Sequence, residues 1–234
     1  MIFWPEGACY GAASAAWRVM PSRTGYRNHM QAWAQALRTG PRWESCLRSV
    51  VRRVLAGDEP QPWWLPRRVL TVVSADVDTT TGAGAIWIVV RPKSPRTREH
   101  IAFLEWYDKQ WRHVGGGSGP PDDPVDVEVL DVHHGGGVLS LTRTIDPPRS
   151  FTAAPWISCV KVRLGRDVGH VLIGGRRIEN PEQCRLIAVW TSPYDRRAAR
   201  PLIVAVGRDG AELSRLGPHD SLDTHTWARL RGEL

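Results

Sequence analysis

The chain of 234 residues is basic, yet it has little lysine and few phenylalanine or tyrosine residues. Only Lys93, Lys109 and Lys161 are lysines among its 31 basic residues, and 12 Trp stand against three Phe and four Tyr. Arg and Trp have GC-rich codons, whereas Lys, Phe and Tyr have AT-rich ones, so a high-GC genome accounts for both biases. The net charge of +7 therefore does not by itself indicate nucleic acid, and the tryptophans do not by themselves indicate a sugar ligand.

Long apolar runs, paired cysteines and recognisable catalytic motifs are also missing. No run approaches the roughly 20 residues that span a bilayer, and the first ten residues carry no basic residue of a signal peptide. The spacing of the four cysteines includes no C-x-x-C pair, which predicts buried thiols in a reducing, cytoplasmic compartment. The glycine-rich runs do not fit a phosphate-binding loop. The sequence predicts no metal, no cofactor and no membrane partner. The four cysteines are Cys9, Cys46, Cys159 and Cys184.

Two amphipathic helices are predicted between residues 28 and 57. The second, over residues 41–57, repeats apolar side chains at helical spacing, beginning with Trp43, Leu47 and Val50. After a Pro-rich connector the period changes from 3.6 to 2, which predicts a meander of four strands up to Val114. The N-terminal half is therefore predicted to be a helical hairpin packed on an antiparallel sheet.

The stretch GGGSGPPDDP, residues 115–124, is the strongest predicted boundary, and it is read as an interdomain linker or a long mobile hairpin loop. Beyond it, short strands alternate with turn signals such as HHGGG, which predicts a β-rich, sandwich-like half with an immunoglobulin-like arrangement as one option. The whole chain is thus predicted to be α+β. The predicted segments are an N-terminal extension over 1–20, an α+β domain over 21–117, a linker or loop over 118–124, and a β-rich domain over 125–234.

The densest polar cluster lies near the C-terminus. It is called here the tail cluster, and it consists of His219, Asp220, Asp223 and His225. Imidazoles and carboxylates can bind a divalent metal or act as an acid–base pair. The spacing matches no zinc-enzyme pattern, and side chains of this kind also cap helices. The sequence favours a polar turn that caps a short tail helix, with a weak catalytic candidate as the alternative.

Two further features suggest a binding surface. Arg48, Arg52 and Arg53 lie off the apolar stripe of the second helix, so this helix has a basic face. Trp63 and Trp64 are adjacent in the Pro-rich connector, where two indoles are difficult to bury together. These five residues are the candidate binding surface, although both features also fit a solvated helix face and an anchored connector.

The sequence favours a non-catalytic interaction or regulatory protein whose partner is another protein. A nucleic-acid-associated protein that uses the Arg-rich helix over residues 41–57 is the first alternative. A hydrolase or metal enzyme with its site between His219 and His225 is the second alternative. The sequence does not specify the oligomeric state.

Overall fold

The protein is described by a computed structural model over residues 41–121, 126–141 and 154–233. The chain divides into two compact units, Met1–Trp43 and Glu44–Leu234, and nearly all the described residues belong to the second. The helix predicted before residue 41 and the predicted N-terminal extension lie outside the described residues. Neither helix in this part of the chain has the length and apolar character needed to cross a membrane.

Strands dominate the described residues. Two helices and one 3-10 turn accompany them. The elements are α1 (Pro41–Leu55), β1 (Leu70–Asp78), β2 (Ala83–Val90), β3 (Arg98–Tyr107), β4 (Gln110–Gly119), β5 (Leu130–Leu139), β6 (Trp156–Leu164), β7 (Val168–Ile173), β8 (Arg176–Glu179), β9 (Arg185–Ser192), the 3-10 turn (Tyr194–Arg196), β10 (Ile203–Gly207), β11 (Glu212–Leu216) and α2 (Thr224–Leu230).

Helix α1 confirms the second predicted helix. Its apolar stripe is buried, with Leu47 and Val50 fully inaccessible to solvent. The guanidinium of Arg48 donates a hydrogen bond of 3.4 Å to Gln110 Oε1, which places α1 beside the start of β4. The two arginines in its last turn complement the partial negative charge at the helix C-terminus.

The first sheet is the predicted antiparallel meander, in the order β1-β2-β3-β4. Strands β3 and β4 are joined by Asp108 and Lys109 alone, since Tyr107 pairs with Gln110. Both linking residues have positive φ, 49° and 60°. A two-residue turn of this kind matches the right-handed twist of the flanking strands, as in a type I′ hairpin.

Both glycine-rich runs are paired strands at positions where the sequence predicts a loop or a turn. Residues 115–119 belong to β4 and pair with β3, and the HHGGG segment lies within β5 and pairs with β6. The predicted loop is therefore wrong for residues 115–119, and the predicted turn in HHGGG is wrong. The glycines are needed for close packing: a Cβ on Gly135 would lie 2.4 Å from Cys159 Sγ, and one on Gly116 would lie 2.3 Å from the Ile101 carbonyl oxygen.

Strands β6 and β9 of the sheet β5-β6-β9 are buried on both faces, and their alternating side chains serve two cores. Ile157 and Cys159 on β6 join a core with Trp87 and Phe103 of the first sheet. The opposite face joins a second core with the sheet β11-β10-β7-β8. The members of that second core from the middle sheet are Leu130, Val160, Val162, Leu164, Leu186 and Ala188.

The β-rich α+β class is confirmed, with three antiparallel sheets among the described residues. The immunoglobulin-like option stays a prediction. The strands on either side of residues 118–124 share a core, and part of that stretch, residues 122–125, lies outside the description. The division of the chain into two domains there stays a prediction.

Buried carboxylates join the sheets to one another. Asp76 on β1 accepts hydrogen bonds from both terminal guanidinium nitrogens of Arg176 on β8 at 2.6 Å and from the backbone N–H of Val189 on β9 at 2.8 Å, so one side chain links β1 to two other strands. Glu105 on β3 accepts the hydroxyl of Ser140 and the backbone N–H of Leu141. Such contacts compensate for the cost of burying a charge.

Candidate binding surface

The tail cluster contains the cap of helix α2. Asp223 is buried and occupies the N-cap, where its carboxylate accepts the backbone N–H groups of His225 and Thr226 at 3.0 and 3.1 Å. The hydroxyls of Ser214 and Thr226 also donate to it. Burial by itself would raise the pKa of this carboxyl group, but the hydrogen bonds from Ser214 and Thr226 bring the pKa below its usual value. The charged form of Asp223 is therefore the one that the fold stabilises.

The other members of the tail cluster have separate roles. Asp220 accepts the backbone N–H of Gly217 at 2.8 Å and closes a local turn, while His219 is exposed. His225 Nδ1 lies 3.8 Å from Glu128 Oε2, on a segment distant in sequence. A groove of about 250 Å³ runs beside α2 and includes Asp223 and His225 in its lining. The structure thus brings two of the four residues to one groove, with the carboxylate already engaged in capping.

A second, open hollow of about 480 Å³ lies at the β10–β11 turn. Arg166 and Arg208 line it together with Asp167 and Asp209, so its formal charges cancel. The guanidinium of Arg208 donates to the backbone carbonyl of Arg166 at 3.3 Å. These groups include no nucleophile or general base in an arrangement that indicates catalysis.

Cysteine and metal chemistry find little support in the described residues. Burial raises the pKa of the Cys46 thiol to about 12 and raises the pKa of Cys159 further. These two thiols stay protonated at neutral pH, and a protonated thiol is a poor nucleophile. In the described ranges, no group of three or more His, Cys, Asp or Glu side chains is placed to hold a metal ion.

The basic face of helix α1 is partly neutralised by nearby acids. Arg48 lies 3.6 Å from Glu44, one helical turn away. Arg53 lies 3.7 Å from Asp58 and donates a 2.7 Å hydrogen bond to the carbonyl of Glu59. Arg52 is exposed. Arg53 therefore holds the helix to the connector that follows it, whereas Arg48 pairs with an acid of the same helix.

The two predicted tryptophans are exposed on a fixed loop. Trp63 is 75% exposed and Trp64 is 43% exposed. They lie in residues 61–68, called here the tryptophan loop. Its first residue, Gln61, is buried. The Gln61 side-chain oxygen accepts a hydrogen bond of 2.8 Å from the Val72 N–H, and its side-chain nitrogen donates one of 2.8 Å to the Leu65 carbonyl. The loop is thereby attached to the free edge of β1.

A basic segment that is evident in the sequence, but lies outside the predicted binding surface, is found at the same end of the sheet. Residues 91–98, called here the basic loop, connect β2 to the first residue of β3 and read RPKSPRTR, with four cations and no acid. Lys93, Arg96 and Arg98 are exposed. The absence of any acidic residue in these eight positions is a signal that could have identified the segment.

The pairing register brings the tryptophan loop and the basic loop to one end of the first sheet. Leu70 at the start of β1 pairs with Val90 at the end of β2, and Val90 pairs with Arg98 at the start of β3. The backbone N–H of Arg91 also donates to the Val69 carbonyl at 2.9 Å, so the loops are joined at their bases. Exposed indoles and exposed cations therefore share one end of the fold.

A scan against models of known protein families, a search of curated proteins and a search of solved structures each found no match to this chain.

Proposed function

We propose that this chain is a non-catalytic interaction or regulatory protein of the cytoplasm, and that Trp63 and Trp64 form its contact surface. The observation that carries the proposal is the 75% exposure of Trp63 on a loop fixed by buried hydrogen bonds. Exposed tryptophan is a frequent anchor of binding interfaces. An anchor that is already ordered loses little conformational entropy when a partner binds.

The polar groups with catalytic potential support the same proposal, because they have structural partners. Asp223 caps helix α2, and burial suppresses the ionisation of Cys46. The enzyme alternative requires His219, Asp223 and His225 to converge on one cleft. His219 is instead exposed, while Asp223 is buried under α2.

The test is capture of partners by the purified chain and by two matched variants. The variant Trp63→Ala/Trp64→Ala removes the proposed surface. The control Trp227→Ala removes an indole of similar exposure, 45%, from helix α2. Quantitative mass spectrometry of proteins and nucleic acids retained from lysate should show a partner reduced about tenfold or more by the double change, the scale of a lost hot spot.

The control should retain that partner at the wild-type level, and a thermal melt should show that both variants are folded. Equal retention by the wild-type chain and the double variant would contradict the proposal, because the tryptophans would then contribute nothing to binding.

A further inference from the structure

We propose that the partner of this surface is a single-stranded nucleic acid, held by the tryptophan loop and the basic loop together. The inference rests on the proposed function, because it assigns a partner to the same surface. The inference depends on where the cations and indoles lie in the fold. A preference for Arg and Trp codons would explain the number of these residues but not their position.

The basic loop presents a concentrated positive charge to solvent. It carries Arg91, Lys93, Arg96 and Arg98 within eight residues, and the last three are exposed. Cations at this spacing can neutralise successive phosphates of a polynucleotide and release the counterions condensed on it. The positive end of the sheet therefore fits a polyanion.

The carboxylates near these two loops have other partners. Glu59 pairs with Arg67, and Asp58 pairs with Arg53. Glu99, which follows the basic loop directly, is buried and lies 3.0 Å from Lys161 Nζ. Each of these three acids therefore has a cationic partner, and none of them pairs with a cation of the basic loop.

The basic loop is ordered by its own hydrogen bonds. The Ser94 N–H donates to the Arg91 carbonyl at 3.0 Å, and the Thr97 hydroxyl donates to the same carbonyl at 2.7 Å. The Thr97 N–H donates to the Ser94 carbonyl at 2.9 Å. A loop held in this way presents its cations in a fixed geometry and loses little entropy on binding.

The exposed indoles favour single strands over the other polyanions. Single-stranded binding proteins combine a positive surface with aromatic side chains on which bases stack. A duplex hides the faces of its bases, and the two described helices are separated by eleven strands, so they do not form a helix-turn-helix. An acidic protein would engage the cations but would provide no flat bases for Trp63.

The experiment measures binding of labelled 20-nucleotide oligo(dT) and oligo(U) to the full chain by fluorescence anisotropy. Poly-glutamate and a DNA duplex of equal length serve as competitors, and salt is varied. The variants are Trp63→Ala/Trp64→Ala and Lys93→Glu/Arg96→Glu. The matched controls are Trp227→Ala and Lys109→Glu/Arg166→Glu, which alters two exposed cations elsewhere by the same total charge.

We expect binding to one or both oligonucleotides, and the stronger of the two identifies DNA or RNA as the source of the strand. Affinity should fall about tenfold or more in the tryptophan variant, as for one lost base stack. The charge variant should also lower the slope of log affinity against log salt by about 1.4, since each contact to a single-strand phosphate contributes about 0.7. Both controls should bind like the wild-type chain.

Three results would overturn the inference: no oligonucleotide binding at low salt, equal weakening by the matched controls, or stronger competition by the duplex or poly-glutamate than by unlabelled single strand. Each leaves the proposed function standing if the capture experiment still finds a partner that depends on Trp63 and Trp64. Both the proposed function and this inference would be wrong if the capture experiment found no partner that depends on Trp63 and Trp64, and if the tryptophan variant still bound oligonucleotide like the wild-type chain.

Discussion

The two ends of the first sheet use charged side chains in different ways. At the end where β1 meets β2 and β3 meets β4, the carboxylates of Asp76 and Glu105 are buried and accept hydrogen bonds from residues distant in the chain. At the other end, Lys93 and Arg96 project into solvent. The buried carboxylates link parts of the fold to one another, whereas the exposed cations of the basic loop remain accessible to a partner.

The largest expected effect comes from Asp76→Ala at the end with the buried carboxylates. The change removes the carboxylate that pairs with the Arg176 guanidinium, which keeps only the Val189 carbonyl as an acceptor, and it leaves the Val189 N–H without its acceptor. Removing one member of a buried ion pair costs about 3–5 kcal/mol of unfolding free energy. Urea denaturation should show this loss. Glu179→Ala, which removes an exposed ion pair with Arg177, should reduce stability far less, because exposed ion pairs contribute little to it. Equal losses in the two variants would show that Asp76 does not join the sheets.

A smaller effect is expected for Asp223→Ala, because it removes the N-cap of helix α2. Loss of a cap costs about 1–2 kcal/mol, measured by the same denaturation at neutral pH. His219→Ala alters an exposed member of the tail cluster and should change stability by no more than about 0.5 kcal/mol. A comparable loss from His219→Ala would show that the histidine has a structural or ligand-binding role that the capping geometry does not explain.

The pH dependence of stability should identify the charged form of Asp223 as the capping form. Its pKa is lower in the folded chain than its usual value, so its contribution is present above the usual carboxyl pKa of about 3.9 and is lost as the pH falls through the folded pKa. The difference in stability between the wild-type chain and Asp223→Asn should therefore shrink as the solution is acidified below about pH 4. A difference that grows on acidification would contradict this assignment.

The smallest expected effect on stability belongs to Lys93→Ala/Arg96→Ala at the basic end. Both side chains are exposed, and exposed substitutions usually change unfolding free energy by less than about 0.5 kcal/mol. Denaturation should confirm this, while affinity for an oligonucleotide falls. A stability loss above about 1 kcal/mol would mean that the basic loop supports the fold and would remove the contrast between the two ends.

Regular, local patterns made much of the fold predictable. Helix α1 follows from the spacing of Leu47 and Val50, and the meander follows from alternation interrupted by turn residues. The cap at Asp223 follows from a polar residue directly before a short helix. In each case the residues that decide the structure are close together in the chain, so their periodicity carries the information.

The glycine runs show where local reasoning failed. Glycine usually marks a turn because it adopts positive φ easily. At Gly135 it is required because another side chain, Cys159, occupies the space of a Cβ. The need for glycine is imposed by β6, the strand that pairs with β5, and Cys159 on β6 is about 24 residues away in the chain. No window of local sequence contains it.

Long-range contacts also set the limits of prediction for the candidate surface. The contact of Asp76 with Arg176 joins residues 100 positions apart, and the proximity of the tryptophan loop to the basic loop depends on the register of three strands. The sequence identified Trp63 and Trp64, because two adjacent indoles in a Pro-rich connector are difficult to bury. That the basic loop lies beside them becomes evident only once the sheet is assembled.

The most direct test follows the indole N–H resonances of the 12 tryptophans in a nitrogen-15 NMR spectrum during titration with oligo(dT) or oligo(U). Assignment by single Trp→Phe variants would identify each signal. We expect the resonances of Trp63 and Trp64 to shift or broaden in proportion to bound oligonucleotide, while buried Trp87 and the exposed control Trp227 keep their positions. Unchanged Trp63 and Trp64 resonances under saturating oligonucleotide, or equal shifts at Trp227, would contradict the assignment of this end of the sheet as the binding surface.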